Sequence, residues 1–293
     1  MTDHSSLHSS SRSSLHSSTD TVFVFVHGAW HSSGQWAATQ RALAVLGAAS
    51  LAVDLPGHGF DAPLPSGYLR PGQPGLSTEK SALATVTMDD SAEAVLDTLR
   101  QARRHRRVVL VAHSAGGGPA SLAVERAPEL VDEIVYLSAF VPAGRPRFFD
   151  YLGSPEHATA RGGSLNLGDP ADLGAVRINP LSQDPAYVEE LRQTHYHDTA
   201  PDRFDRWRSA LSPDLPLAIP TTPVVVTPQR WGSVPRTFVR CADDRALPRA
   251  VQDLMIAEAD RAMPGTPFTV RTLPGSHSPF AARPRELAAA LLP

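Results

Sequence analysis

The chain has 293 residues, of which 42% are hydrophobic, and its formal net charge is −3. This length permits one large α/β domain or two smaller domains with a sizeable core. The small net charge, without a stripe of Lys and Arg, argues against a nucleic-acid-binding protein. A single cysteine, Cys241, excludes an intramolecular disulfide and a cysteine-rich metal site. No apolar run in the sequence reaches the length needed to span a membrane.

Residues 1–20 are rich in Ser and His and contain a near repeat, Ser-Ser-Leu-His-Ser-Ser. They lack the apolar core that is typical of a secretory signal peptide. We therefore predict a disordered tail and a cytoplasmic protein.

Apolar runs alternate with helical periodicity through the first half of the chain. Asp89 and Asp90 are expected to cap the second helix. The segment 61–77 contains too many Pro and Gly residues for regular structure. The predicted strands are 21–26, 49–54, 107–112 and 133–138, and the predicted helices are 35–46, 91–104 and a segment ending near 125.

The alternation stops in residues 143–232, where only 184–195 and 201–210 have helical character, and then resumes. Strands are predicted at 236–241 and 268–273, and helices open at Pro248 and Pro284. We therefore predict an α/β fold with a mostly parallel sheet of about six strands flanked by helices. Residues 21–142 and 233–293 form the predicted core, and 143–232 form an inserted cap over the carboxyl ends of the strands.

A candidate nucleophile, Ser114, follows the apolar strand that ends at Ala112. Glycines and a helix-forming segment come next, so the pattern predicts a strand, a sharp turn and a helix with Ser114 at the apex. The usual pattern for such a turn is G-x-S-x-G, in which small residues allow strand and helix to approach closely. Here Ala112 replaces the first glycine and Gly116 supplies the second.

A serine hydroxyl needs a base and an acid group to become a nucleophile at neutral pH. His277 and Asp244 each follow the end of a predicted strand, and ligands in parallel sheets bind beyond those ends. The chain order Ser114, Asp244, His277 is the order expected of this arrangement. Asp243 competes with Asp244, but adjacent residues cannot both point inward. Asp244 stands four residues before Pro248, which opens the next predicted helix, so we favour Asp244.

The same reaction needs hydrogen-bond donors for the oxyanion that forms on the substrate. The backbone N–H groups of Ala115, after the nucleophile, and of Ala29, after the first strand, are the candidates. His27 is interpreted as a structural hydrogen-bonding residue, and the side chain of His113 is expected to project away from the site.

These motifs resemble those of the α/β-hydrolase superfamily, and in particular the branch that contains plant methylesterases, the salicylate-binding esterase and hydroxynitrile lyases. In that branch, lyases have a lysine after the catalytic histidine and a threonine in the oxyanion loop. Ser278 and Ala29 occupy those positions here, which argues against lyase chemistry. The similarity covers about residues 22–292 and is carried by His27–Trp30 with Trp36, Asp54–Gly59, His113–Gly117, Gly232–Arg236, Cys241–Pro248 and Ser276–Phe280.

The resemblance implies a serine hydrolase that cleaves a carboxylic ester through an acyl-enzyme on Ser114, without a metal or organic cofactor. One alternative is lactone opening or a non-hydrolytic cyclisation or lyase step on the same scaffold, and another is a catalytically silent binding protein. The expected partner is a small-molecule ester, with no nucleic acid and no membrane, and a homodimer remains open.

Four aromatic residues are candidate substrate contacts: Trp30, Tyr196, Trp207 and Trp231. Those in the cap could equally form its core. His195 and His197 flank Tyr196, but no carboxylate or cysteine stands at a supporting spacing, so we interpret them as surface residues rather than metal ligands.

Overall fold

A computed structural model describes residues 20–292, so nearly all of the predicted tail lies outside the described residues. The strands are β1 (Thr21–Val26), β2 (Ala49–Val53), β3 (Arg107–His113), β4 (Glu133–Leu137), β5 (Ala175–Arg177), β6 (Asp214–Pro216), β7 (Arg236–Cys241) and β8 (Thr269–Leu273). The helices are α1 (Ala37–Val45), α2 (Met88–Ala102), α3 (Gly117–Arg126), α4 (Phe148–Leu152), α5 (Pro170–Leu173), α6 (Pro185–His195), α7 (Pro201–Arg208), α8 (Ala218–Thr221), α9 (Arg249–Ala262), α10 (Pro279–Ala282) and α11 (Pro284–Leu291).

Six strands form one parallel sheet in the order β2-β1-β3-β4-β7-β8, which confirms the predicted sheet. β1 and β3 lie inside the sheet, and their apolar side chains are buried on both faces. In register, Val26 at the end of β1 stands beside Val53 of β2 and Ala112 of β3. The loops after these strands therefore begin at one edge of the sheet.

Helices cover both faces of the sheet. Side chains of α2, α3 and α9 belong to the core on one face, and those of α1 and α11 belong to the core on the other. The apolar stripe of α2, which includes Val95, Leu96 and Leu99, is buried in the first of these cores. None of the helices in the described range 20–292 is long and apolar enough to cross a membrane.

The start of α2 differs from the sequence prediction. Thr87 is the N-cap: its Oγ1 accepts a hydrogen bond from the Asp90 N–H at 3.1 Å, and Asp90 Oδ2 accepts one from the Thr87 N–H at 2.9 Å. Asp90 is thus the reciprocal partner in a capping box, and Asp89 lies inside the first turn. The strand ends agree with the sequence prediction to within one residue.

The segment 143–232 contains α4 to α8 and the antiparallel pair β5–β6. A buried ion pair holds this pair of strands, because Arg177 Nη2 donates to Asp214 Oδ2 at 2.7 Å. Arg177 Nη1 also donates to the carbonyl oxygens of Leu76 and Glu79, both at 2.8 Å. The segment 61–77 has turns but no helix or strand, as expected, and its C-terminal flank is tied to the inserted segment through Arg177.

Candidate active site

Ser114 stands at the apex of the turn between β3 and α3. It opens a short 3-10 turn and has a φ of 51°, in the left-handed region where side chains other than glycine are strained. The turn approaches the loop after β1 so closely that a Cβ on Gly116 would lie 2.3 Å from the His27 carbonyl oxygen. Ala112 is fully buried in register with Val26 and Tyr136, so the sheet accommodates its methyl group.

His277 and Asp244 are joined by a hydrogen bond of 2.6 Å between Nδ1 and Oδ2, and both side chains are buried. Asp244 Oδ1 accepts hydrogen bonds from the backbone N–H groups of Ala246 and Leu247, both at 2.8 Å. The Ser138 hydroxyl donates to Asp244 Oδ2. Both carboxylate oxygens therefore have partners, and the carboxylate is held in one orientation toward the imidazole.

Asp243 points elsewhere. Its Oδ2 accepts a hydrogen bond from the backbone N–H of Gly275 at 2.9 Å, which ties the loop after β7 to the loop after β8. The structure thus brings Asp244, and not Asp243, to His277.

Ser114 and His277 line one cavity of about 530 Å³. Since His277 Nδ1 donates to Asp244, Nε2 is the nitrogen left to accept a proton. Among the described residues no hydrogen bond joins Ser114 Oγ to His277 Nε2. Such contacts are often long without substrate and tighten when substrate binds.

The loop after β1 runs beside the nucleophile. A Cβ on Gly28 would lie 2.7 Å from the Cβ of Ser114, so only glycine fits at this position. Ala29 lines the cavity with Ser114, and Ala115 directly follows the nucleophile. The two predicted oxyanion donors thus belong to segments that meet at Ser114.

Trp30 lines the cavity, as predicted for a substrate contact. It has a φ of 62°, and its indole Nε1 donates to the Val176 carbonyl oxygen of β5 at 2.9 Å. The loop after β1 is therefore linked directly to the inserted segment.

Three buried histidines support this loop and have lowered pKa values because burial disfavours the charged imidazole. His27 Nδ1 donates to the Gly28 carbonyl and Nε2 accepts from the Leu55 N–H, which agrees with the structural interpretation. His31 donates to the Ala29 carbonyl and accepts from a tyrosine hydroxyl, and its pKa is about 3. His113 is not a cavity-lining residue and donates from Nε2 to the His277 carbonyl at 2.9 Å.

The structure does not place Tyr196, Trp207 or Trp231 in the cavity wall. Tyr196 is fully buried, and its hydroxyl donates a hydrogen bond to His31 Nε2. Trp207 packs against the ring of Phe280. Trp231 is fully buried and donates from Nε1 to a tyrosine hydroxyl of β4 at 2.7 Å. Packing within the protein thus uses all three side chains, and their role as substrate contacts stays a prediction.

The structure also corrects the interpretation of His195 as a surface residue. It is the last residue of α6 and lines the cavity, with its ring centroid 5.6 Å from that of His277 and 5.8 Å from that of Trp30. His197 hydrogen-bonds to the Asp243 carbonyl oxygen at 3.0 Å and is absent from the lining. Within residues 20–292 no group of three His, Cys, Asp or Glu side chains could hold a metal ion.

The rest of the cavity wall is mostly apolar and comes largely from the inserted segment. No motif or periodicity in the sequence predicted which residues of that segment would line the cavity. The apolar lining includes Phe148, Phe149, Leu152, Leu165, Val176, Leu215, Leu217, Pro220 and Leu247.

Comparison with known proteins agrees with this geometry. A model of the alpha/beta hydrolase family matches residues 23–290. A pyrethroid hydrolase of Sphingobium wenxiniae is 28% identical, over 93% of this chain and 87% of that protein. The putative methylesterase 14 of Arabidopsis thaliana, named as chloroplastic, is 26% identical over 92% of this chain and 70% of that protein.

A crystal structure of a pyrethroid hydrolase from Sphingobium faniae JZ-2 has the same fold. It superposes with a TM-score of 0.72 at 24% identity and covers 92% of this chain and 95% of that chain. The predicted α/β-hydrolase fold and the resemblance to the methylesterase branch are confirmed. These relatives are named as ester hydrolases, and the chain belongs to the alpha/beta hydrolase family.

Proposed function

We propose that this protein is a serine hydrolase that cleaves a carboxylic ester through an acyl-enzyme on Ser114. The observation that carries the proposal is the 2.6 Å hydrogen bond from His277 Nδ1 to Asp244 Oδ2, with His277 and Ser114 lining one cavity. The ester-hydrolase names of the relatives support the same reaction.

The first step is attack of Ser114 Oγ on the ester carbonyl carbon, while His277 Nε2 takes the hydroxyl proton. Asp244 holds the ring with Nδ1 as the donor and stabilises the imidazolium that forms. His277 then gives the proton to the alkoxide oxygen, and the alcohol leaves. A water molecule, deprotonated by His277, attacks the acyl-enzyme; the bond from the acyl carbon to Ser114 Oγ breaks, His277 returns the proton to Oγ, and the acid leaves.

The oxyanion of each tetrahedral intermediate is bound by the backbone N–H groups of Ala29 and Ala115. Ala115 also stands where the chain enters α3, and the positive end of the helix dipole favours negative charge there. Loss of one such donor in a comparable site lowers kcat by about 10²- to 10³-fold.

Residues 143–232 act as a cap on a core of 21–142 and 233–293, and the cap selects the substrate. Support comes from the apolar side chains that this segment contributes to the cavity. Trp30 forms part of the same wall and contacts the bound ester.

Covalent labelling tests the proposal. A fluorophosphonate should modify Ser114 in the wild-type protein, with the site located by peptide mass spectrometry, and p-nitrophenyl butyrate should be hydrolysed. S114A should lose both reactions, whereas S209A, at the exposed end of α7, should keep both. A wild-type protein that neither reacts at Ser114 nor hydrolyses esters would contradict the proposal and favour a binding role.

A further inference from the structure

Most polar side chains around the cavity already have partners within the protein. His157 contacts the Ala246 carbonyl oxygen, and Asp169 caps α5 by accepting from the Ala171 N–H. The remaining partnered side chains donate to other parts of the protein: Arg161 to Glu190, Thr194 to the Glu190 carbonyl, and Thr221 to the Leu217 carbonyl. Asn166 is exposed at the surface. Apart from Ser114 and His277, which take part in the proposed reaction, the described lining residue whose polar side chain is neither partnered nor exposed is His195.

The imidazole of His195 makes no hydrogen bond with the described residues; its Nδ1 is buried, and Nε2, which is not among the buried atoms, is the nitrogen that a ligand in the cavity can reach. Burial and the neighbouring His277 lower the pKa of His195 well below its usual value. The ring is therefore neutral, with one nitrogen able to donate and the other able to accept.

His195 is half-buried, and an apolar residue in its place would avoid leaving an unpartnered imidazole in a wall that is otherwise mostly apolar. An unpartnered nitrogen at the wall of a cavity can be satisfied by a ligand or a solvent molecule that occupies the cavity. The position of His195 indicates which part of a ligand it would meet. Its ring centroid lies 5.6 Å from that of His277, which protonates the leaving oxygen, and 5.8 Å from that of Trp30, which follows the oxyanion residue Ala29.

We propose that His195 is a substrate-binding residue that hydrogen-bonds a hydroxyl group carried close to the scissile ester carbonyl. The preferred substrates are therefore esters whose hydroxyl lies either on the α-carbon of the acid or on the alcohol, with an apolar remainder for the rest of the cavity. This inference rests on the proposed ester hydrolysis at Ser114.

Two isosteric substrate pairs distinguish the two positions of the hydroxyl. Methyl mandelate and methyl 2-phenylpropanoate differ by hydroxyl against methyl on the acid side. 2-Hydroxyethyl phenylacetate and propyl phenylacetate differ in the same way on the alcohol side. The readout is the ratio of kcat/KM for the hydroxyl ester to kcat/KM for its methyl counterpart, which cancels general damage to catalysis.

In H195L the ratio should fall about 3- to 10-fold for one pair, the loss expected for one neutral hydrogen bond, and H195Q should keep part of it. The matched control is H197L, two residues away and outside the cavity lining, which should leave both ratios as in wild type. An H195L ratio equal to wild type for both pairs, or an equal fall in H197L, would overturn the inference.

Fluorophosphonate labelling separates the two levels of failure. Wild-type protein that is labelled at Ser114 and hydrolyses all four esters, but shows no change of ratio in H195L, refutes the role of His195 alone. Wild-type protein that is neither labelled nor active refutes the ester-hydrolase proposal and the His195 inference with it. Thermal unfolding of each variant shows whether it is folded under the assay conditions.

Discussion

Acidification should destabilise this protein sharply, because three buried histidines lie around the active-site loop. Burial lowers the pKa of His27, His31 and His113, to about 3 for His31, whereas an unfolded histidine has a pKa of about 6.5. Between the folded and unfolded values, the unfolded chain binds one more proton per histidine. The stabilisation is therefore fully present above pH 6.5 and is lost as the pH falls toward the folded values.

The magnitude follows from linkage. At pH 5.5, one unit below the unfolded pKa, each histidine that stays neutral in the folded state lowers the free energy of unfolding by about 1.4 kcal/mol. Three such histidines give a loss of about 4 kcal/mol relative to pH 7.5, and His195, whose pKa burial also lowers, adds to that loss. This is a large part of the 5–15 kcal/mol that is usual for the stability of a folded protein.

Urea unfolding at pH 7.5, 6.5 and 5.5, followed by tryptophan fluorescence, measures this loss. H31Q removes one of the three titrations, so its loss between pH 7.5 and 5.5 should be smaller than that of wild type by about 1.4 kcal/mol. The control is H105Q, in the turn after α2 and outside the buried cluster, which should show the wild-type loss. Equal losses in H31Q and wild type would refute the assignment of the pH dependence to buried imidazoles.

Three other substitutions test particular contacts. D244N should lower kcat/KM for p-nitrophenyl butyrate by roughly 10⁴-fold, because the imidazole loses its orienting acceptor, while D243N should stay within about 10-fold of wild type; equal effects would contradict the assignment of the acid. R177M should lower the free energy of unfolding in urea by about 3–5 kcal/mol, because it leaves the Asp214 carboxylate buried without a counter-charge; a loss below about 1 kcal/mol would contradict that interpretation. G28A places a Cβ 2.7 Å from the Cβ of the nucleophile. Relief of this clash needs a displacement of about 1 Å, which should reduce kcat for the same ester at least ~10²-fold; unchanged kcat would show that the loop is not rigid there.

The sheet and the reacting residues were predictable because both follow from local sequence. Buried parallel strands are apolar throughout, and their carboxyl ends meet at one edge, so Ser114, Asp244 and His277 could be assigned to the same place from the sequence alone. The choice between Asp243 and Asp244 followed from the spacing to Pro248, and the hydrogen bond to His277 agrees with it. The capping error at α2 has a local cause as well, since Thr87 precedes the acidic pair that suggested a cap.

The cavity wall was not predictable because it depends on how the inserted segment docks. Helical periodicity places His195 and Tyr196 at one end of α6, but it does not say which of them faces the cavity. In the structure Tyr196 is in the core and His195 is in the wall. For Trp231 the sequence left pocket wall and core equally open, and in the structure its buried indole donates to the Tyr136 hydroxyl.

Two of the contacts between residues 143–232 and the rest of the chain meet at one strand. Arg177 binds Asp214 and the carbonyls of the segment near Leu76, and Trp30 binds the carbonyl of Val176. Val176 and Arg177 both belong to β5, so one contact joins this strand to the segment near Leu76 and the other joins it to the loop after β1. A shift of β5 would therefore move the cavity wall and the loop that carries Ala29 together. Because of this coupling, substitutions near Arg177 should change substrate preference as well as stability, although they lie outside the cavity lining.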